Sequence, residues 1–302
     1  MLLNSRSRSR VSSPKKNRRS VNVRSMLAAI GPTALRLAVA ALLARVLGPH
    51  LHPRSSPKAH MAGAVQELHT RLRELLPAPV ELWGVRLMTG STVGPTEAAV
   101  LSSFLRAREW DVQDTASMFT SSLRWRQHFG VAKLRADQFR DFPLDAFRGR
   151  TSTGKLIAVL RLGDLSEETF NDAARFLRWR IYIQEILNSK LDFGKGVQPA
   201  YTLVLDCDGI ASGHFSKPAR LCAKELSRVF QDHYPDFLDQ IVVCNPPAIF
   251  TLAFTILRPV LPRNLIKIIK VHNGDQASCL KSQGLLSQSG PRRKGFGLMS
   301  IA

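Results

Sequence analysis

Tyr201-Thr202-Leu203-Val204-Leu205 runs directly into Asp206-Cys207-Asp208-Gly209. Five apolar or β-branched residues followed by an acidic, glycine-ended turn cluster predict a buried strand that stops at Asp206. Two segments of the same kind flank it. Leu156-Ile157-Ala158-Val159-Leu160 follows turn residues, and Ile241-Val242-Val243-Cys244 precedes a Pro pair. Between the three lie helical patterns, over 166–190 with Phe176, Trp179 and Ile183 on one side, and over about 216–231. Residues 248–261 form an apolar segment of about four turns, and Ile266 to Val271 reads as a last strand. Strands alternating with helices specify an α/β domain with a largely parallel sheet. There are no internal repeats.

Upstream the pattern is helical. Val65, Leu68, Leu72 and Leu75 share a face, with charges opposite. Leu82-Trp83-Gly84-Val85 and Thr89-Gly90-Ser91 read as loops. Pro95 sits where a first helical residue is favoured and opens a helix through Ala98, Leu101 and Leu105. Asp111, with Asp114 three residues on, reads as the N-cap of a helix whose stripe is Val112, Ala116, Phe119 and Leu123. This helical subdomain ends at Gly130.

The 302 residues carry a formal charge of +20, a value that invites a nucleic-acid reading. Its distribution argues otherwise. Residues 1–66 hold twelve Lys and Arg and no acid, and the last 23 residues hold four more and no acid. About +4 is left on 67–279, ordinary for a soluble domain. A composition 44% hydrophobic excludes disorder of the whole chain, and four cysteines exclude a disulfide scaffold. In the basic first 63 residues, Arg36 and Arg45 interrupt the apolar stretch 26–48, which is therefore too broken to cross a bilayer. Its Arg- and Ser-rich, acid-poor composition fits a targeting presequence. Yet Arg36 and Arg45 fall half a turn out of phase, and a domain that begins at Met61 behind an optional extension fits equally.

Motifs of chemistry are mostly absent. Gly149 to Leu156 has the spacing of a phosphate-binding loop, but Leu156 stands where Ser or Thr would hold magnesium, and a strand follows where a helix should. A glycine-rich turn feeding a strand is the better reading. Cys207, Cys222, Cys244 and Cys279 lack metal-type spacing, and the histidines form no HExxH. Cys207 and Cys244, on buried strands, read as reduced core residues of a cytosolic protein. No nucleophile elbow or carboxylate pair stands out, so a binding protein is expected rather than an enzyme, with no catalytic residues and no metal.

Six ordered segments carry a resemblance. They are Phe104-Leu105-Arg106-Ala107-Arg108-Glu109-Trp110-Asp111-Val112 followed by Leu123-Arg124-Trp125-Arg126; Leu205 to Gly209; Gln231-Asp232-His233-Tyr234-Pro235-Asp236; Asn245-Pro246-Pro247; Arg258-Pro259-Val260-Leu261; and Lys267-Ile268. In this order they resemble the CRAL-TRIO (Sec14-like) lipid-binding proteins. Leu82-Trp83-Gly84-Val85 and Arg178-Trp179-Arg180 are similar to the branch of SFH5-type phosphatidylinositol transfer proteins, with the plant patellins nearby.

The resemblance implies an α/β fold in which an N-terminal helical bundle, 64–135, precedes a lipid-binding domain, 136–275. The mostly parallel sheet would be flanked by helices and floor a lipid pocket, between a disordered basic extension, 1–63, and a disordered basic tail, 276–302. It implies non-enzymatic binding and intermembrane transfer of a phospholipid, phosphatidylinositol or another glycerophospholipid. The carrier would be a monomer in the cytoplasm, peripheral on endoplasmic reticulum or other anionic membranes, without nucleic acid; organelle targeting follows if the N-terminal extension is real. Headgroup contacts fall on Arg108, Asp236 and Lys267. Glu109 departs from the Lys of phosphoinositide-binding members, and the family's LPxxYGG segment is missing. Ile249, Phe250, Leu252, Phe254, Ile256 and Leu257 would form a gate helix, although a fully buried core helix reads the same way. Some members of the branch bind haem through a tyrosine whose match here is Cys207, a thiolate ligand or a core residue. Haem binding and a membrane-associated scaffold without transfer are therefore the alternatives.

Overall fold

A computed structural model describes residues 58–144, 146–151, 154–194, 198–235, 237–248, 267–282 and 284. The helical module comes first: α1 (Lys58–Leu75), a hairpin of β1 (Val80–Leu82) and β2 (Val85–Leu87), α2 (Pro95–Ala107) and α3 (Val112–Phe129). The sequence reading of 82–85 as loop is corrected here. Trp83 (φ 53°) and Gly84 (φ 80°) both take positive φ and form a two-residue turn matched to the twist of antiparallel strands. A Trp at positive φ is a conformation that propensity does not suggest. Buried Glu97, in the first turn of α2, accepts the Met88 N–H at 2.6 Å and ties the hairpin to that helix.

Asp111 caps α3 as the sequence indicates, its carboxylate accepting from the Asp114 N–H at 2.7 Å. Gly130 ends the helix at φ 75°, the left-handed position that glycine adopts without penalty. Phe104 and Phe119 meet edge to face at 4.9 Å between α2 and α3, and both are fully buried.

The second part is a five-stranded sheet: β3 (Phe147–Arg150), β4 (Leu156–Arg161), β5 (Tyr201–Asp206), β6 (Leu238–Cys244) and β7 (Ile269–His272). The strands lie side by side in chain order. β3 is antiparallel to β4, and the rest are parallel. β3 was not anticipated from sequence. The loop resembling a phosphate site is the β3–β4 turn, in which Thr151 N–H donates to Lys155 C=O at 2.8 Å; Lys155 pairs with Asp239 at 2.7 Å.

Because β4, β5 and β6 advance across the sheet in one direction, crossovers of one hand place α4 (Ala173–Ser189) and α5 (Lys217–His233) on the same face. The opposite face, with Ile157, Val159, Val204, Val242 and Cys244, needs a different cover. It is met by α6 (Gln276–Ser282), whose buried Cys279 is disulfide-bonded to Cys244. Two expectations are corrected here. Cys244 is not a reduced core thiol, and the segment beginning at 276 is helical through Ser282 rather than a disordered tail. The apolar run of β4 and β5 reflects burial on both faces.

Candidate functional site

The space between the sheet and α4 and α5 is not filled. Ala158 and Leu160 of β4, Leu203 of β5 and Leu238 of β6 form one wall. Trp179, Ile183 and Leu187 of α4, with Ala219, Ala223, Leu226 and Phe230 of α5, form the other. The space between them contains no protein atoms and opens to solvent at a mouth. The alanines at 158, 219 and 223 leave room that larger aliphatic side chains would occupy. An acyl chain gains about 0.8 kcal/mol for each methylene it removes from water, so a cavity with this apolar lining suits a chain-bearing ligand.

Few polar groups interrupt the lining: Arg180, Gln184, the Tyr201 hydroxyl and His214. Arg180 is 7% exposed, and its guanidinium lies over the faces of Trp179 and Phe230, 5.5 and 6.0 Å from the ring centroids. Burial pushes its pKa down to about 10, opposed by the neighbouring Tyr201, so the guanidinium is still a cation at neutral pH. Gln184, one turn further along α4, donates to the Asn188 side-chain oxygen at 2.8 Å and meets the Tyr201 hydroxyl at 3.5 Å.

The turns at the C-terminal ends of the strands are locked to one another. A Cβ on Gly163 would fall 1.9 Å from the Asp208 carbonyl oxygen, so only glycine lets the turn after β4 approach the turn after β5. His214 accepts the Ala211 N–H at Nδ1, which leaves Nε2 to donate to the Leu162 carbonyl at 2.9 Å. Asn245, at φ 48°, donates to the Asp206 carboxylate at 2.8 Å and joins the ends of β5 and β6.

The helical module meets the sheet domain around one carboxylate. Glu185 of α4, 5% exposed, receives a bidentate pair from Arg126 at 2.8 and 2.5 Å, the Tyr234 hydroxyl at 2.7 Å and the Trp83 indole N–H at 3.4 Å. Burial works against the Arg126 cation, but Glu185 outweighs it and holds the guanidinium above its ordinary range. Burial first, then the Glu185 charge, raises the Tyr234 hydroxyl well above its usual value. Trp83, Arg126 and Tyr234 come from three of the sequence segments singled out above. Glu185 belongs to none of them, and a Glu within a helical pattern gives no sign of burial.

Of the anticipated headgroup residues, the structure describes Arg108 and Lys267. Arg108, half-buried at the end of α2, donates to the Gln231 carbonyl at 3.2 Å and so touches the last turn of α5, just before Tyr234-Pro235. Lys267 is exposed two residues before β7. The parallel register pairs Ile269 with Ile241, which places Lys267 at the end of the sheet where Tyr234-Pro235 leads into β6. Asp236 and the gate residues Ile249, Phe250, Leu252, Phe254, Ile256 and Leu257 lie outside the described residues. Cys207 does not fit a haem ligand. It is absent from the cavity lining, and burial followed by the Asp206 charge pushes its thiol up to about 12, against the thiolate that iron requires. No cluster of three metal-ligating side chains occurs among the described residues, and none of their helices is long and apolar enough to cross a membrane.

Comparison with known proteins places this geometry. Residues 146–285 match the CRAL/TRIO domain family. Patellin-6 of Arabidopsis thaliana is 26% identical over 230 residues, covering 72% of this chain and 54% of the relative. A protein named phosphatidylinositol transfer protein sfh5, from Botryotinia fuckeliana, is 24% identical over 246 residues, covering 75% of this chain and 55% of its own length. The chain thus spans about half the length of these relatives. The crystal structure of Sfh5 superposes with a TM-score of 0.57 at 18% identity, over 69% of this chain and 80% of the other, and shows the shared fold.

Proposed function

From a chain that carries a Sec14-like CRAL/TRIO domain over residues 146–285, we infer a lipid carrier. It holds a glycerophospholipid, phosphatidylinositol foremost, in the cavity under α4 and α5 and exchanges it between membranes without catalysing a reaction. The observation that carries this is the apolar cavity itself, whose aliphatic and aromatic lining matches what acyl chains need. The relatives named for phosphatidylinositol transfer support the choice of lipid. In this reading Arg108, Asp236 and Lys267 contact the headgroup at the end of the sheet where β6 begins. Residues 249–257 act as the gate, and contact with membranes is peripheral.

The test is transfer of labelled phosphatidylinositol and phosphatidylcholine between vesicles by the wild type, Arg108→Ala and Lys267→Ala. Each substitution is expected to lower phosphatidylinositol transfer by about ten-fold, the worth of a charge-assisted hydrogen bond, and to leave phosphatidylcholine transfer in place. Because Arg108 also bonds to Gln231, the melting temperature of each variant is read alongside. Normal phosphatidylinositol transfer by both variants removes the headgroup assignment. Native mass spectrometry of the wild type that finds no bound lipid, together with no transfer, removes the carrier reading and leaves a scaffold.

A further inference from the structure

Arg180 is a buried cation facing an apolar cavity, and neither of the ring faces it touches carries a countercharge. Arg126, its counterpart across the joint, is by contrast clamped by Glu185. Arg180 also heads a polar file on α4, with Gln184 and Asn188 following at intervals of one turn, all three more than nine-tenths buried. The file is incompletely satisfied, since the Asn188 side-chain nitrogen has no hydrogen-bond partner. A guanidinium held out of water against aromatic faces keeps its planar fork of donors available for an oxyanion.

We propose that Arg180 is an anion-binding group inside the cavity, which takes a phosphate or carboxylate of an amphiphile that enters with this charged group beneath α4 and α5. Gln184 and the Tyr201 hydroxyl, which meet at 3.5 Å on the same wall, supply the neighbouring hydrogen-bonding groups. The ligand class is thereby narrowed to amphiphiles with an oxyanion, and neutral chain-bearing lipids are disfavoured because they leave the cation uncompensated. This rests on the cavity as the lipid site but not on Arg108 or Lys267, which stand at the end of the sheet.

Two ligand pairs that differ only in the anion test it: phosphatidic acid against diacylglycerol with the same chains, and oleate against oleyl alcohol. Binding is measured by displacement of a fluorescent neutral lipid from the full chain, with wild type, Arg180→Met and Arg180→Lys. Wild type is expected to prefer at least one anionic partner by about ten-fold or more, the scale of a charged hydrogen bond. Which pair shows the preference identifies phosphate or carboxylate. Arg180→Met is expected to bind the neutral partners as before and lose the preference; Arg180→Lys restores part of it. The anionic partner should raise the melting temperature of wild type more than that of Arg180→Met, which also reports whether the variant is folded. Inorganic phosphate alone should give no such rise, and a rise through Arg180 would overturn the amphiphile part. An unchanged preference in Arg180→Met, or no preference in wild type, overturns the proposal while the carrier reading stands. Failure of wild type to bind any of the four overturns both.

Discussion

Glu185 shows what a single residue can hide. It sits in a helix whose sequence reads Ile183-Gln184-Glu185-Ile186, where a charged residue ordinarily marks the solvated face. Its burial becomes visible only when Trp83, Arg126 and Tyr234 converge on it from segments far apart in the chain. Those three were legible as members of recognisable motifs; their common partner was not, because no local pattern encodes a tertiary meeting point. Glu185→Ala leaves the Arg126 guanidinium buried without its carboxylate, so a loss of about 3–5 kcal/mol is expected in urea denaturation. Arg126→Met in the same background should recover part of that loss, since no unpaired charge then remains. A single-variant loss below about 1 kcal/mol, the scale of an exposed pair, would mean that the joint is solvated and that the two parts are not held together by this carboxylate.

At the scale of elements, the runs Leu156–Leu160, Tyr201–Leu205 and Ile241–Cys244 were readable because strands buried on both faces are continuous in apolar residues. The β1–β2 hairpin was not, because its turn places a Trp at positive φ. Nor was the role of α6. Cys244 and Cys279 are 35 residues apart in sequence, a spacing that carries no pairing information; the fold sets their Cα atoms 6.3 Å apart. The bridge matters because α4 and α5 both lie on the cavity face, so among the described residues the apolar patch around Val159, Val204 and Val242 is covered by a short helix. A seven-residue helix is marginal by itself. Cys279→Ala, or reduction, is therefore expected to lower stability by about 2–4 kcal/mol. Hydrogen exchange should increase in β6 and α6 before it does in α3. Peptide mapping without reductant should return Cys244 and Cys279 linked, and finding both as free thiols in the folded protein would refute the clip.

For the molecule as a whole, the net charge of +20 is the most conspicuous property and the least informative about the cavity. Residues 1–57 hold eleven Lys and Arg and no acid, whereas the stretch from 67 to 279 is close to balanced. In the proposed carrier, ligand selection and membrane attraction would thus be separable: the first would depend on the cavity lined by Trp179, Leu203 and Leu226, the second on charges outside it. The sequence could show this division because charge is countable along a chain. It could not show the unfilled cavity, since Ala158, Ala219 and Ala223 read like any other core residues until their opposition leaves a gap. Each basic residue that comes close to an anionic leaflet contributes about 1 kcal/mol. Removing residues 1–57 is accordingly expected to weaken binding to vesicles rich in phosphatidylserine by about a hundred-fold, even if only about three of the eleven engage the surface. It should also flatten the salt dependence of that binding. Lipid uptake from neutral vesicles should be unaltered, because the named lining residues of the cavity, between 146 and 238, are retained. Equal affinity of the two forms for anionic vesicles at low salt would instead assign the attraction to the folded part, with Lys267 and the other exposed cations of the sheet domain as its source.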